Sequence, residues 1–190
     1  MLRRSACSAL RCHTTAAPSS SSAEPLLHIV LVEPQIPPNT GTIGRLALAT
    51  RCRLHLVGKL GFSLDEKALQ RAGMDYWRNV DCVIHATWAE YLEAAAAPNG
   101  GAWLFTTQAT RPHWGAAFRR GDHLLFGNEG AGAPEAVHRW VTERHGEAQR
   151  LRLPMSPEVE GRSLNLACTV SCGVYEALRQ IESTGSTGLC

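Results

Sequence analysis

The sequence predicts an α/β fold: a mostly parallel six-stranded sheet with helices on both faces. Three observations carry this reading. Six short aliphatic and β-branched runs alternate with segments of helical spacing, the pattern of a sheet whose crossovers are helices. The 190 residues fit one domain. At 44% hydrophobic and 19% charged, the chain has enough apolar material for one core. That composition excludes a disordered tail protein and a disulfide-stapled miniprotein. No apolar run approaches the roughly 18 residues of a membrane span, so no membrane partner is expected.

The elements follow in order. Leu26–Val32 reads as a buried strand and Glu33–Gly41 as a Pro-rich loop. Thr42–Thr50 reads as a helix with Asn39 or Thr40 near its N-cap. Arg53–Val57 is a second strand, and Ser63-Leu-Asp-Glu66 has the capping-box spacing of a helix reaching Arg71. Val80–Ala86 is a third strand. Thr87-Trp-Ala-Glu90 opens a helix to Ala97, which Pro98-Asn-Gly-Gly101 stops. Ala102–Thr107 and Asp122–Phe126 are the fourth and fifth strands, the latter followed by the loop Gly127–Ala133. Pro134 suits the first turn of a helix through Trp140, Arg150–Leu153 is the sixth strand, and Leu164–Glu182 is a long final helix. In such sheets ligands bind beyond the carboxyl ends of the strands, and loops 33–41, 107–114, 127–133 and 154–163 all follow strands.

Charge divides by region. Residues 1–25 hold Arg3, Arg4 and Arg11 against Glu24, which leaves 16 cationic and 16 acidic side chains in residues 26–190. A neutral body is no generic polyanion binder, so nucleic acid would have to meet a local patch, a dimer groove or a partner. Residues 1–23, rich in Arg, Ser and Ala and free of acids, have the composition of an organellar transit peptide, mitochondrial before plastid, with the cytoplasm as the remaining alternative. Residues 1–25 are therefore expected to be a disordered targeting extension and 26–190 the folded domain. The seven cysteines form no CxxC; Cys168 and Cys172, four apart, share a helix face and read as buried structural thiols.

Several chemistries are missing. The sequence has no P-loop, no GxGxxG after the first strand, no GxSxG and no HExxH. His28, His55, His85 and His123 fall on expected strands and read as packed or edge residues rather than ligands. No metal site is expected. Elimination favours chemistry that needs little acid–base machinery.

Four segments stand out: Glu33-Pro-Gln-Ile-Pro-Pro-Asn-Thr-Gly-Thr-Ile-Gly-Arg45, Arg71-Ala-Gly-Met-Asp-Tyr-Trp77, Phe126-Gly-Asn-Glu-Gly-Ala-Gly-Ala-Pro134, and Arg152-Leu-Pro-Met155 with Arg162-Ser-Leu-Asn-Leu166. Together and in this order they resemble the SPOUT superfamily of RNA methyltransferases. Within it they resemble the TrmL-type tRNA (cytidine/uridine-34) 2′-O-methyltransferases, over roughly residues 26–181. The resemblance implies a C-terminal trefoil knot, a homodimer, S-adenosylmethionine as methyl donor, and tRNA as the substrate, methylated on the ribose of the wobble nucleotide. It carries adenosyl binding to Phe105, Gly127, Leu153 and Ser163. It places Arg45 beside the reacting hydroxyl and Glu129 in the active-site loop, with Asn165 as a further catalytic candidate. Asn39, Arg45 and Tyr76 are the substrate-binding candidates.

The residues themselves leave options open. Ser163 is a natural N-cap for the last helix. Glu129 either pairs with Arg45 or holds its loop. Arg45, always charged, fits a phosphate or a developing alkoxide better than a base role. Asp75-Tyr76-Trp77 fits a base-stacking surface or a dimer contact equally. Ala133 and the acidic 155–162 loop depart from the family pattern. Methylation of another tRNA position or of ribosomal RNA, and a non-catalytic knotted scaffold, are the alternatives. The neutral body also raises the prospect of a helper protein.

Overall fold

The computed structural model describes residues 10–11, 24–64, 75–95, 100–158, 163–185 and 189. The helix expected over 63–71 lies mainly outside the described residues, as do most of residues 1–25 and Arg162.

Six parallel strands form the sheet: β2 (His28–Val32), β3 (Arg53–Val57), β4 (Cys82–His85), β5 (Ala102–Phe105), β6 (His123–Phe126) and β7 (Arg150–Leu151). A seventh strand comes from the N-terminal 25 residues. Leu10–Arg11 forms β1 and pairs antiparallel with β4, giving the order β1-β4-β3-β2-β6-β5-β7. Continuous apolar runs such as HIVLV and HLLF suit strands covered on both faces.

Two cores sandwich the sheet. On one face α1 (Pro37–Ala49) and α4 (Leu166–Thr184) bring Ile43, Ala47, Val170 and Val174 onto Leu31, Leu54 and Phe126. On the other, α2 (Trp88–Ala95) and α3 (Glu135–His145) bring Tyr91, Val137 and Val141 onto Val30, Val57 and Leu125. The Thr87 and Glu90 capping box forms: Glu90 N–H donates to Thr87 Oγ1 at 3.1 Å, and Glu90 Oε2 accepts the Ala86 N–H at 2.8 Å.

Three expectations are corrected. The first helix begins five residues earlier than expected, at Pro37, with Ile36 as N-cap rather than Asn39 or Thr40. Prolines at the first helical positions lack an N–H that would be unpaired there anyway, so they start this helix instead of extending the loop. The last helix is capped by Asn165, not Ser163: Asn165 Oδ1 accepts the N–H groups of Ala167 at 2.9 Å and Cys168 at 3.3 Å. Finally, Cys168 and Cys172 are exposed, because they share the outer face of α4; among the described residues, Cys52 and Cys82 are the buried thiols.

Asp122 ties the fold together below β5 and β6. It is 2% exposed, and its carboxylate accepts the Gly101 N–H, the Trp103 Nε1–H and the Arg119 N–H at 2.7, 2.7 and 2.9 Å. Burial pushes its pKa up, against the pull of these donors. Asp122→Ala would strand three donors, at about 1–3 kcal/mol for each left unsatisfied. A loss of about 3 kcal/mol or more is expected in urea unfolding; a loss below about 1 kcal/mol would mean that water replaces the carboxylate.

Candidate active site

A cleft of about 360 Å³ opens beyond the carboxyl ends of β5, β6 and β7. Its walls come from 105–108, the loop 126–133, 152–155 and the starts of α1 and α4. Seven of the nine residues singled out in the sequence line it: Asn39, Phe105, Gly127, Glu129, Leu153, Ser163 and Asn165.

The glycine loop is built on backbone contact. Asn128 and Gly132 exchange two backbone hydrogen bonds of 3.1 Å, and Asn128 Oδ1 accepts the N–H groups of Gly130 and Ala131 at 2.9 and 2.6 Å. A Cβ on Gly127 would lie 1.9 Å from Ala133 N, so only glycine fits. Gly132 has φ +75°, the left-handed region.

Glu129 does not pair with Arg45. Its Oε2 accepts the Gln35 N–H at 2.9 Å, and its Oε1 accepts the Ile36 N–H at 3.2 Å and the Asn39 Nδ2–H at 3.0 Å. Ile36 has no side chain to cap α1, and the carboxylate of a distant loop supplies the anionic acceptor that a helix start favours. Burial pushes the Glu129 pKa up, but the bonds from Asn39, Gln35 and Ile36 outweigh it and hold the carboxyl below its usual value. A carboxylate so engaged is a positioning group and a poor base.

Asn39 is buried, and its amide is committed on both sides. It donates to Glu129, while its Oδ1 accepts from Asn165 Nδ2 at 3.0 Å. One polar chain thus runs from the start of α1 through Glu129, Asn39 and Asn165 to the start of α4. Asn165→Ala removes both the cap and the Asn39 contact, and about 1–2 kcal/mol of stability should go with it. Asn165→Asp keeps the cap and loses the donation to Asn39. Thermal melts and ligand titrations of both separate the two roles: if only the cap matters, Asp behaves as wild type.

Phe105 is 5% exposed, its ring stacked on Phe126 at 4.8 Å and pressed on α4, where a Cβ on Gly173 would lie 2.8 Å from it. It supports the cleft from the core. Leu153 is partly buried against the same core, and Ser163 sits exposed on the rim. Arg152, Thr106, Thr107 and Met155 also line the cleft but were not singled out in the sequence. Arg152 and Met155 bound one of the four segments, which was the available signal.

Arg45 and Tyr76 do not line the cleft. The Arg45 guanidinium lies 4.6 Å over the Tyr76 ring, and Tyr76 donates to Gly41 O at 2.7 Å. Trp77 is no stacking surface: it is 3% exposed, packed where a Cβ on Gly44 would lie 2.5 Å from its ring. Only Tyr76 of that motif's two aromatics is left partly accessible, with exposed Arg45 above it.

Comparison with known proteins accords with this geometry. Residues 26–175 match the model of the SpoU rRNA Methylase family. A tRNA (cytidine(34)-2′-O)-methyltransferase of Polaromonas sp. is 46% identical over 162 residues, covering 85% of this chain and 94% of the relative. A solved structure described as giving structural insights into the 2-OH methylation of C/U34 on tRNA is 42% identical, with a TM-score of 0.69 over 81% of this chain and 95% of that one. The fold is shared at 22% identity and a TM-score of 0.68 with the SpoU methyltransferase AviRb of Streptomyces viridochromogenes, solved with AdoMet, over 87% of this chain and 61% of that one. The chain belongs to the SpoU methylase family.

Proposed function

We propose that this chain transfers a methyl group from S-adenosylmethionine to the ribose 2′-hydroxyl of the wobble nucleotide, position 34, of tRNA. The observation that carries the proposal is the convergence of the glycine loop, Leu153 and the start of α4 on one cleft. The cleft fits the donor: its volume is that of a small-molecule site, Gly127 to Gly132 offer bare backbone, and Leu153, Met155 and Leu166 offer apolar wall. When bound, S-adenosylmethionine supplies an electrophilic methyl group. Gly127, Leu153 and Ser163 would hold its adenosyl part, with Phe105 bracing the wall behind.

Displacement at a sulfonium methyl needs alignment more than proton transfer: the O–CH3 bond would form as the S–CH3 bond breaks, leaving the neutral thioether, and the hydroxyl proton would pass to water. The Glu129–Asn39–Asn165 chain provides alignment by fixing the glycine loop to two helix starts. Arg45 supplies a permanent cation for a phosphate or a developing alkoxide, and Tyr76 presents an aromatic face beneath it. Because that pair stands off the cleft lining, two copies working as a homodimer would bring Arg45 of one to the cleft of the other. Leu48 and Tyr175, 38% and 59% exposed on α1 and α4, support pairing there. The segment after β7 would be threaded as a trefoil knot. We further propose import into mitochondria through residues 1–25, and a helper protein that compensates the neutral body; an N-terminal fusion to a fluorescent protein tests the first, and pull-down from the organelle the second.

The deciding experiment supplies labelled S-adenosylmethionine and tRNA from a strain lacking the protein, then maps the labelled nucleotide. Label on the ribose at position 34, lost in Arg45→Ala with donor binding intact, is the expected result. Label elsewhere would overturn the substrate, and donor binding without transfer to any RNA would favour a scaffold. Mixing the inactive Arg45→Ala and Gly127→Ala chains should restore transfer, because the mixed dimer holds one complete site. If activity stays absent on mixing, the shared site is wrong.

A further inference from the structure

The parallel sheet gathers three strand histidines at one place. Strands β3, β2 and β6 are neighbours, and His28 stands in register beside His123, with His55 two residues further along β3. A ring nitrogen from each of His28, His55 and His123 lies within 4.8 Å of the other two. His28 Nδ1 and His55 Nε2 are 2.9 Å apart, and the His28 and His123 rings stack with centroids 4.1 Å apart. The cluster sits on the face covered by α2 and α3. His28 and His123 begin their strands, whereas the cleft lies beyond the opposite strand ends.

We propose that His28, His55 and His123 form a binding site for one divalent first-row transition-metal ion, with Zn²⁺ the expected occupant. Three imidazole nitrogens with one open position are a ligand set that zinc accepts, and imidazole also suits Cu²⁺ and Ni²⁺ but not Mg²⁺ or Ca²⁺. The open position falls to water on the side of His28, the least buried of the three.

Outer hydrogen bonds fix two of the ligands, as metal sites require, while the His28 ring must turn out of its stack on His123 to bring its nitrogen to the ion. His55 Nδ1 lies 3.0 Å from His85 Nε2, and His123 Nδ1 lies 2.8 Å from the Tyr91 hydroxyl. With its proton on Nδ1 and donated to His85, His55 presents a lone pair on Nε2. In the metal-free chain that lone pair accepts the His28 Nδ1–H. On binding, His28 carries its proton on Nε2 instead and presents Nδ1 to the ion, so no proton is lost from the protein. The 2.9 Å separation must then open to roughly 3.3 Å, the spacing of two nitrogens on a tetrahedral zinc. Burial keeps the three rings in the neutral form that ligates. Trp88, stacked 5.0 Å from Tyr91, closes the apolar side. Packing accounts for the His28–His55–His85 line of hydrogen bonds, and the stack on His28 and the Tyr91 hydroxyl hold His123 in place; what points to an ion is the ring nitrogen that this leaves within 4.8 Å of those of His28 and His55.

The test is titration of the chelator-treated full chain with Co²⁺, then displacement by Zn²⁺. The expected result is one ion per chain with a Kd near or below about 10 μM, visible d–d bands, and no thiolate-to-metal charge-transfer band. Zn²⁺ should raise the thermal midpoint by mass action. His28→Gln, at the half-buried ligand, should weaken binding by roughly 100-fold or more, as should His123→Phe, while Cys168→Ser/Cys172→Ser leaves it unchanged. Melting curves show that each variant is folded before it is titrated. Thiolate bands, undiminished binding in both histidine variants, or no binding at millimolar Co²⁺ and Zn²⁺ would each overturn the site.

Discussion

Replacing Gly127 with alanine is expected to abolish donor binding in the cleft, whereas Gly130→Ala should leave it close to wild type. The three glycines of this loop look alike in sequence, but each meets different atoms. A Cβ at 127 would lie 1.9 Å from Ala133 N and 2.0 Å from Gly132 C. Those are backbone atoms, held by the paired 3.1 Å hydrogen bonds between Asn128 and Gly132, so they cannot rotate aside. The loop must shift bodily, and a displacement of about 1 Å at a positioned site costs on the order of 100-fold. Such overpacking also costs about 1–3 kcal/mol of stability or more. At Gly132 a Cβ meets nothing within 4 Å, but φ is +75°, so alanine there costs about 1 kcal/mol of backbone strain. At Gly130 the nearest atom is Asn128 Oδ1 at 3.7 Å, an ordinary contact. Donor titration and thermal melts of the three variants should rank them 127, 132, 130 in severity. Equal damage at 130 and 127 would refute the steric account.

The sheet was legible because its strands are continuous apolar runs whose boundaries local chemistry marks, as the Thr87–Glu90 capping box marks α2. The cleft was legible because its walls are loops that follow strands. What stayed hidden depends on partners distant in sequence. Pro37 and Pro38 permit either a loop or a helix start; the choice rests on Glu129, more than 90 residues away, accepting the N–H groups of Gln35 and Ile36. Ser163 and Asn165 are both good N-caps, and Asn165 alone also reaches the amide of Asn39. The histidines were each placed on strands, yet nothing local says that β2 pairs with both β3 and β6, which is what gathers His28, His55 and His123. The partly accessible Arg45–Tyr76 pair was found by motif and not by position: its distance from the cleft lining is a property of the folded chain.

The same histidines should make the metal-free chain sensitive to mild acid. Burial, reinforced by Arg53, pushes the His28 pKa down to about 4; burial, reinforced by His28 and His145, pushes that of His123 down to about 3. His55, buried among His28, His123, His85 and Arg53, is held well below its ordinary value. In the unfolded chain each titrates near 6.5. Above that pH both states are neutral and stability is at its plateau. As pH falls from about 6.5 towards 4, the unfolded chain takes up protons that the folded sheet refuses, so stability falls. Counting only His28 and His123, two protons give a slope of about 3 kcal/mol per pH unit near pH 5. A domain of ordinary stability, about 5–15 kcal/mol, would lose much of it by pH 4. Asp122 opposes the trend, since its raised pKa favours proton uptake by the folded state, but it is one group against at least two. Glu129, whose pKa is lowered, adds to the loss only once pH falls through the ordinary glutamate range towards its lowered value. Urea midpoints measured with chelator at pH 7, 6 and 5 should therefore decline progressively. In His123→Phe the slope should shrink by about one proton, whatever that change does to the midpoint at pH 7. A midpoint that stays level from pH 7 to 5 would mean that the rings protonate in place, and that the sheet opens there without unfolding.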